Sequence, residues 1–441
     1  MKQEHTCIKD LIAHPPKLET LANGAEDVMK DACPGAYITG IGLVTPIGVG
    51  KKKFWSSMLA NESGVGPITL FDSEGFDVKI AAECSTFEPE DFVDRKTAQR
   101  MDRFAQFALA STLMALDDAR AGEFLGRHPA RVGLVIGTGV GGMASRDRAQ
   151  WEMDNKGVNQ VNPFTVIKVL QNEGAAQIAI QLGIRGPSIA PALACACGTD
   201  AMGMGYELLC RGDADMVFCG ASEATITPIG VAGLTAMRAM STRNDDPQGA
   251  CRPYDKDHSG LVIGEGAAVM VLETEESVRR RGVVPYAKIT GIGRTTDAYN
   301  LADPDPEGQG ITRAMVLAIK SAGLQPEQIG YINPHGTGTV AGDGPESWAI
   351  HSINPRVRLS ATKSNLGHSM AATGAIEAAI CALALKEQTI PPMRNLETLA
   401  KYCAPLEYVV GSPLSAPELE AAICANMGMG GHNVAITLER L

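Results

Sequence analysis

A cysteine flanked by small residues lies in the stretch 186–200, which reads GPSIAPALACACGTD. Cys195 ends an apolar run, and the sequence predicts a helix over Thr199–Arg211, just after it. Unpaired N–H groups at a helix N-terminus favour an anion, so we expect the pKa of this thiol to fall. The small neighbours leave room for a substrate carbonyl, whose oxygen backbone N–H groups can bind. Cys195 is a candidate nucleophile, and a buried structural thiol is the alternative.

Two histidines lie in turns rich in Gly, Ser and Thr. His335 belongs to the segment NPHGTGT and His368 to the segment TKSNLGH, and each follows a short predicted strand. Side chains in such turns lie at the carboxyl edge of a sheet, where open α/β folds bind ligands. With Cys195 they form a candidate nucleophilic constellation, although any single histidine is more often a structural residue. The remaining histidines lack this setting: His5, His14, His128, His258, His351 and His432.

Other patterns in the chain indicate a ligand site less clearly. The segment 426–433, NMGMGGHN, is a glycine-rich turn before the last predicted strand, and a tight β-turn with packed methionines is the alternative to a site. The glycine-rich segment 137–142 lacks an acidic partner on a following strand, and no Lys-Ser/Thr pair marks a phosphate loop. A metal site built on Cys195 and Cys197 has no further ligand at the usual spacing.

These residues need an α/β scaffold to bring them together. Short apolar runs typical of strands alternate with alanine-rich runs typical of helices, which predicts sheets covered by helices on both faces. The 48 glycines fit many tight turns. The predicted strands are Val132–Ile136, Met216–Cys219, Ala267–Leu272, Ala287–Ile292, Tyr331–Ile332 and Val434–Leu438. The predicted helices are Arg103–Ala119, Thr199–Arg211, Gly310–Ala322 and Ala371–Lys386.

An internal repeat predicts two related halves. The pentapeptide ITGIG occurs at 38–42 and again at 289–293, and RVGLVIGTGVGG at 131–142 parallels QIGYINPHGTGT at 328–339. The segment at 131 lies further from the pentapeptide at 38 than the segment at 328 lies from the pentapeptide at 289. The first half therefore carries insertions. We predict two stacked α/β halves that meet near 280–285, preceded by an irregular extension over residues 1–36.

Composition excludes several classes of protein. The 441 residues are 45% hydrophobic and carry a formal net charge of −11, which argues against nucleic-acid binding through a basic surface. Eleven scattered cysteines with no CxxC pair predict buried thiols in a reducing compartment. We find no signal-peptide pattern and no apolar run long enough for a membrane helix, so we expect a cytoplasmic protein.

The separated motifs together resemble the β-ketoacyl-acyl-carrier-protein synthases, specifically the elongating condensing enzymes of the type II kind. ALACACG, NPHGTGT and TKSNLGH carry the resemblance, together with STRNDDPQGACRPYDKDHSG from 241 and VIGEGAAVMVLE from 262, in this family's order. It covers about residues 36–441. It implies a thiolase-like fold, with two duplicated halves in a five-layer α/β/α/β/α architecture, and usually a homodimer. The expected parts are an extension (1–36), a half with the nucleophile (37–283) and a half with the histidines (284–441).

The resemblance also implies a reaction. Cys195 would take an acyl chain from acyl carrier protein, and His335 and His368 would promote decarboxylation of a malonyl thioester. The resulting carbanion equivalent would attack the Cys195 thioester and extend the chain by two carbons, in fatty-acid or type II polyketide synthesis. Neither a metal nor an organic cofactor is expected.

Further site residues follow from the same resemblance. Lys363 and Glu377 would position His368, and Asp343 would stiffen the His335 loop. Thr337 and Thr339 would border the malonyl arm, and the backbone N–H groups of Cys195 and Met429 would form the oxyanion hole. An exposed basic cluster would dock the acidic carrier protein, with a solvated charged face as the alternative. Its candidates are Arg95, Lys96, Arg100 and Arg103.

The chain departs from the family at its acyl pocket. Met427 and Met429 stand where two gating phenylalanines are usual, and Val140 where a larger isoleucine is frequent. Methionine is more flexible than phenylalanine. We therefore expect an unusual acyl range and keep, as an alternative, a specialised polyketide or polyene ketosynthase that pairs with a chain-length subunit.

Four other functions stay open to different degrees. A thiolase would carry a second cysteine in a CxG turn, where this chain has NMGMGGHN, and a starter-type synthase would carry Asn in place of His368. A non-catalytic chain-length subunit usually lacks the cysteine. A scaffold protein would not require the Cys and His constellation.

Overall fold

The computed structural model describes residues 35–441, so the predicted extension lies outside the described residues except for its last two positions. The described strands are β1 (Ala36–Thr45), β2 (Gly48–Val49), β3 (Val65–Pro67), β4 (Ile80–Ala82), β5 (Val132–Gly137), β6 (Ser188–Ile189), β7 (Met216–Glu223), β8 (Gly266–Glu273), β9 (Ala287–Thr296), β10 (Ile329–Asn333), β11 (Arg358–Leu359), β12 (Thr389–Ile390), β13 (Glu407–Tyr408), β14 (Leu414–Ser415), β15 (Ala421–Gly428) and β16 (His432–Glu439).

The described α-helices are α1 (Lys51–Leu59), α2 (Arg95–Gln99), α3 (Arg103–Asp118), α4 (Gly122–Arg127), α5 (Met143–Lys156), α6 (Thr165–Val169), α7 (Glu173–Leu182), α8 (Cys197–Cys210), α9 (Pro228–Ala236), α10 (Pro247–Ala250), α11 (Glu275–Arg281), α12 (Gln309–Ser321), α13 (Val340–Ile353), α14 (Lys363–Leu366) and α15 (Thr373–Glu387). Short 3₁₀ turns cover Pro89–Asp91, Pro129–Arg131, Val158–Gln160, Ala194–Ala196, Pro326–Gln328 and Met370–Ala372.

The strand order has a pseudo-twofold symmetry. One block runs β1-β8-β7-β5-β6 and the other runs β9-β16-β15-β10-β11-β13, and they join where β1 pairs antiparallel with β9. In each block the first strand pairs with the last long strand of its half, as β1 does with β8 and β9 does with β16. The parallel strand pairs of each half lie further from the junction between the blocks. β1 therefore corresponds to β9, and β5 to β10, which is the correspondence that the sequence repeat predicts.

The repeated pentapeptide has a packing reason in both halves. A Cβ added at Gly42 of β1 would meet the carbonyl oxygen of Ser111 in α3, and one added at Gly293 of β9 would meet that of Ala314 in α12. Each strand thus brings its glycine against the backbone of one helix, a distance that only glycine permits. The repeat preserves this strand-to-helix contact.

The layers follow from where the apolar side chains point. Along β8, Met270 and Leu272 pack into a central cluster with α8 and α15, while Val269 and Val271 pack outward with α3. The second block divides in the same way between the central cluster and α12 and α13. Period-two alternation with both faces apolar is typical of a sheet buried between helices. The order α/β/α/β/α confirms the predicted five-layer fold.

The ten predicted elements are all present, with ends that differ by up to four residues. The division of the chain at 283/284 falls between α11 and β9 and stays a prediction. Among the described residues, none of the helices has the length and apolar composition that crossing a bilayer requires. Eight described cysteines are free and buried: Cys84, Cys195, Cys197, Cys219, Cys251, Cys381, Cys403 and Cys424.

Candidate active site

Cys195 lies in the tight turn that leads into α8. Ala194, just before it, adopts φ 48°, a left-handed backbone that costs a non-glycine residue about 1–3 kcal/mol. The turn also approaches the β15–β16 hairpin so closely that a Cβ at Gly428 would lie 2.6 Å from the carbonyl oxygen of Leu193. The turn before Cys195 is therefore held in a strained conformation and packs closely against the β15–β16 hairpin.

His368 contacts the nucleophile directly. Its Nε2 lies 3.1 Å from the Cys195 Sγ, and both side chains are buried. The backbone around His368 bonds to a neighbouring segment, since its N–H donates to the Val262 carbonyl at 2.7 Å and its carbonyl accepts from the Gly264 N–H at 2.8 Å. The motif VIGEG, recognised in the sequence without a role, thus holds this histidine in place.

His335 lies at the end of β10, with its ring centre 5.2 Å from that of His368. Its loop is held by two carboxylates of α13. Glu346 accepts from the N–H groups of His335 and Gly336 at 2.6 and 2.8 Å, and Asp343 accepts from the Gly338 N–H at 3.1 Å. The position of Asp343 agrees with its predicted role, and Glu346, which the sequence analysis missed, binds the histidine's own backbone.

Lys363 and Glu377 form a fully buried ion pair, with Nζ 2.6 Å from Oε1. The Lys363 ammonium also donates to the backbone carbonyl of His335. Burial raises the pKa of Glu377 to about 7, against the opposing effect of Lys363. The prediction that this pair positions His368 needs correction, because its hydrogen bonds reach His335, and the ammonium acts on His368 only through its charge.

The expected low pKa of the nucleophile is wrong. Burial raises the pKa of the Cys195 thiol to about 12, although the Lys363 charge and the N–H groups of Met429 and Cys195 favour the thiolate. Burial likewise lowers the pKa of both His335 and His368 well below the usual range. At Cys195, the free-energy cost of desolvating the thiolate exceeds the stabilisation that the N-terminus of α8 gives it. The resting site therefore holds a neutral thiol beside neutral imidazoles.

This protonation state predicts the pH dependence of alkylation. Because only the thiolate attacks iodoacetamide, the alkylation rate of Cys195 should rise about tenfold per pH unit from pH 7 to 10 without a plateau. Peptide mass spectrometry of the Cys195 peptide measures the rate, and free glutathione provides the reference curve. A plateau below pH 9 would show that the site stabilises the thiolate.

Seven of the fifteen predicted site residues line one cavity of about 590 Å³. The three proposed catalytic side chains lie at its wall with the two threonines, whose hydroxyl oxygens are 2.9 Å apart, and the two methionines of the hairpin. Its lining includes Cys195, His335, His368, Thr337, Thr339, Met427 and Met429. Val140 does not line this cavity, because its side chain is 45% exposed on the outer surface.

The predicted basic docking cluster is reduced by one member. Arg103 is partly buried, and its guanidinium binds the buried carboxylate of Glu265 at 2.6 and 2.8 Å. An arginine that neutralises a buried acid is not available to a partner. Arg95, Lys96 and Arg100 stay exposed. A further exposed basic residue, Arg238, lies in the lining of the active-site cavity and was missed because its segment carries no charge cluster.

The same three candidate catalytic side chains are also the described residues whose ligand atoms could hold a metal ion. The candidate atoms of Cys195, His335 and His368 all lie within 4.8 Å of one another. Two local features oppose a cation. Lys363 places an ammonium group beside the set, and an amide N–H donor, from Asn426, faces Nδ1 of His335, whereas metal-bound histidines usually donate this N–H to an acceptor. The metal-free reaction stays a prediction.

Comparisons with known proteins agree with this geometry. A model of the β-ketoacyl synthase N-terminal domain matches residues 36–277, and one of the corresponding C-terminal domain matches residues 286–397. A Synechocystis protein named 3-oxoacyl-[acyl-carrier-protein] synthase 2 is 38% identical over 409 residues, which cover 91% of this chain and 97% of that protein. A Staphylococcus aureus protein of the same name is 39% identical over equal coverage.

Solved structures give the same result. The ishigamide ketosynthase/chain length factor and a β-ketoacyl synthase from Burkholderia phymatum both align with a TM-score of 0.86 and 30% identity, covering 92% of this chain and 99% of theirs. A type II polyketide ketosynthase bound to its acyl-carrier protein aligns with a TM-score of 0.83 at 27% identity, with the same coverage. The thiolase-like fold is confirmed.

Proposed function

Because the chain belongs to the β-ketoacyl synthase family, we propose that it extends an acyl chain, held on Cys195, by two carbons taken from malonyl acyl carrier protein. The observation that carries this proposal is the contact of 3.1 Å between the Cys195 sulfur and His368 Nε2, beside His335 in one cavity. A nucleophile with an adjacent base and a second imidazole donor is what such a condensation requires.

The first half-reaction loads the enzyme. As the Cys195 sulfur attacks the carbonyl carbon of the acyl thioester, its proton passes to His368 Nε2, so no free buried thiolate has to form. The N–H groups of Cys195 and Met429, which face the sulfur, bind the oxyanion of the tetrahedral intermediate. The bond to the carrier's sulfur then breaks, and that sulfur takes the proton from His368. The products are an acyl-enzyme thioester and the free carrier thiol.

The second half-reaction forms the carbon–carbon bond. The malonyl thioester loses CO₂, and the electron pair of the broken bond forms an enolate whose oxygen accepts hydrogen bonds from the two imidazoles. Each such donor is worth about 2.7–4 kcal/mol by analogy with other oxyanion sites. The enolate carbon attacks the Cys195 thioester, the C–S bond breaks, and the leaving thiolate takes a proton that solvent supplies through His368 Nε2. In this scheme no metal or organic cofactor takes part, because the malonyl group brings its own latent carbanion.

Carrier docking follows from the exposed charges. We propose that Arg95, Lys96 and Arg100 bind an acidic carrier protein, and that Arg238 at the cavity receives the phosphate of its prosthetic arm. A solved relative is a type II polyketide acyl-carrier protein in complex with its ketosynthase, which supports a carrier partner here.

The exposed apolar face along residues 151–180, from α5 through the following 3₁₀ turn to α7, supports a dimer. Val158, Val166 and Ile180 are 71%, 74% and 74% exposed, and Trp151 and Ile167 extend the same region. Exposed apolar residues at this density typically mark a protein interface. We propose that a second ketosynthase chain covers this face, either a copy of this one or a chain-length subunit of the kind found with the ishigamide ketosynthase.

The two hairpin methionines give a prediction on substrate range. Met427→Phe/Met429→Phe should lower kcat/KM for the longest accepted chains by about tenfold or more, because rigid rings narrow a pocket that flexible side chains leave adjustable. The measurement is kcat/KM across carrier-bound acyl chains of increasing length. Met114→Phe, at a half-buried methionine of α3 that does not line the cavity, is the matched control. An unchanged profile in the double variant would contradict a gating role.

The proposed function is tested by reconstitution. Purified enzyme, acyl carrier protein with a short or long acyl chain, and malonyl carrier protein should together yield CO₂ and a β-keto product two carbons longer, which mass spectrometry of the carrier detects. Formation of CO₂ and product in equal amounts supports the proposal. Absence of both with every acyl chain, in the presence and absence of a chain-length subunit, would contradict it.

A further inference from the structure

A buried asparagine links the two halves of the catalytic site, and the reaction scheme above gives it no part. Asn426 lies on β15 and is fully buried. Its Oδ1 accepts from the Thr199 hydroxyl of α8, and its Nδ2 donates to Glu377 Oε2 at 2.7 Å. The same Nδ2 lies 3.4 Å from Nδ1 of His335. Asn426 therefore connects the helix of the nucleophile, the buried ion pair and one imidazole.

The neighbours determine which way the Asn426 amide points. A flipped amide would place its oxygen against the Glu377 carboxylate, where two acceptors would face each other. It would also place its NH₂ group against the Thr199 hydroxyl, which now donates to Oδ1. In the observed orientation each polar group of the amide has a complementary partner. Of the two N–H bonds of Nδ2, one is used by Glu377 and the other is left to face His335.

This orientation selects one tautomer of His335. A ring nitrogen that faces an N–H donor must be an acceptor, so Nδ1 of His335 carries no proton and the proton of the neutral ring lies on Nε2. The ring stays neutral because burial and the Lys363 charge lower its pKa. Nε2 is then a permanent donor, as an enolate oxygen requires.

His368 differs at the corresponding atom. Its Nδ1 is buried and has no hydrogen-bond partner among the described residues. No neighbour at Nδ1 therefore fixes its tautomer, and its Nε2, which contacts Cys195, can take the thiol proton in the first half-reaction and carry a proton in the second. The two histidines are chemically distinct, one fixed as a donor and one free to exchange protons.

We propose that Asn426 is a positioning residue that fixes His335 as the Nε2–H tautomer and so makes it the permanent donor for the enolate. This inference rests on the proposed function for its kinetic consequence. Its structural consequence, the tautomer of His335, holds independently of any activity and can be measured separately.

Asn426→Asp is the decisive variant, because it keeps the shape of the side chain and presents an acceptor oxygen to His335. A proton shared between the new carboxyl group and Glu377 replaces the hydrogen bond that the amide made there. His335 should change to the Nδ1–H tautomer, which ¹⁵N NMR of histidine-labelled enzyme detects directly, with His335→Gln identifying the signal. Decarboxylation of malonyl carrier protein should fall by about 10²–10³-fold, the effect of losing one oxyanion donor. Self-acylation of Cys195 should change less than threefold, since it needs His368 rather than His335.

Two further variants separate this role from a structural one. Ser360→Ala removes a buried hydrogen bond of 2.9 Å with Tyr331 outside the site and should leave both the tautomer and the rates as in wild type. Asn426→Ser, for the case in which the aspartate variant does not fold, removes the donor and should give a mixture of His335 tautomers with slower decarboxylation. An unchanged tautomer in either folded variant, or an equal loss of acylation and decarboxylation, would overturn the proposal. A wild-type enzyme that shows the Nε2–H tautomer but does not decarboxylate would overturn the proposed function instead.

Discussion

Replacing Cys195 with alanine is expected to lower the rate of condensation by at least about 10⁴-fold, the scale on which enzymes lose activity with their nucleophile. The reason is structural as well as chemical. Cys195 is the described thiol that contacts one of the two imidazoles, whereas the thiol of the nearby Cys197 donates to the Pro191 carbonyl at 3.0 Å. Among the described residues, no second thiol therefore contacts the imidazoles and could accept the acyl chain. Product formation from acyl and malonyl carrier proteins measures the loss.

The same variant should keep part of the chemistry. His335 and His368 are unchanged in Cys195→Ala, so slow decarboxylation of malonyl carrier protein should persist without formation of a longer chain. Cys219→Ala, which removes a buried thiol from β7, is the matched control and should condense at the wild-type rate. Condensation by Cys195→Ala at more than about a hundredth of the wild-type rate would exclude Cys195 as the acyl carrier, because residual catalysis without a nucleophile is far smaller.

Replacing Lys363 with methionine is expected to cause the largest loss of stability. The variant leaves the Glu377 carboxylate fully buried without its cation, and breaking a buried ion pair from one side typically costs about 3–5 kcal/mol of unfolding free energy. It also removes the donor to the His335 carbonyl, so the decarboxylation rate should fall together with stability. Denaturant unfolding followed by circular dichroism measures the first effect.

A double variant separates the two consequences of Lys363→Met. In Lys363→Met/Glu377→Leu both charges are replaced by apolar groups, so most of the stability should return, because no unpaired charge is left buried. Activity should stay low, since neither residue then supports the His335 loop or Asn426. A double variant as unstable as the single one would show that the ion pair is not the source of the loss.

The fold was predictable because its signals are local and repeated. The pentapeptide at 38–42 and 289–293 marks two strands whose glycines contact helices, and alternating apolar runs mark the strands around them. Cys195, His335 and His368 were predictable because each stands in a short motif at a strand or helix end. Such signals need no knowledge of what packs against the segment.

The features that the sequence did not reveal depend on contacts between distant segments. The helix terminus beside Cys195 is visible in the sequence, but the burial that raises the pKa of its thiol to about 12 comes from the layers packed over it. The sequence pattern predicts that Arg103 is a surface charge, whereas in the structure it binds Glu265, which is distant in the sequence. Glu346 lies outside the recognised motifs, and the glycine-rich turn 426–433 gave no role to Asn426 itself, so only the assembled site shows which histidine they contact.

In the proposed reaction, Cys195 carries the growing chain as a thioester while the histidines decarboxylate the extender. The most direct test is the intact mass of the enzyme after mixing with acyl carrier protein, followed by addition of malonyl carrier protein. We predict a mass increase of one acyl group, located on the Cys195 peptide and absent from Cys195→Ala, which disappears on addition of malonyl carrier protein as the β-keto product forms. An unmodified wild-type enzyme with every acyl chain tested, or an adduct that malonyl carrier protein does not discharge, would contradict this proposal.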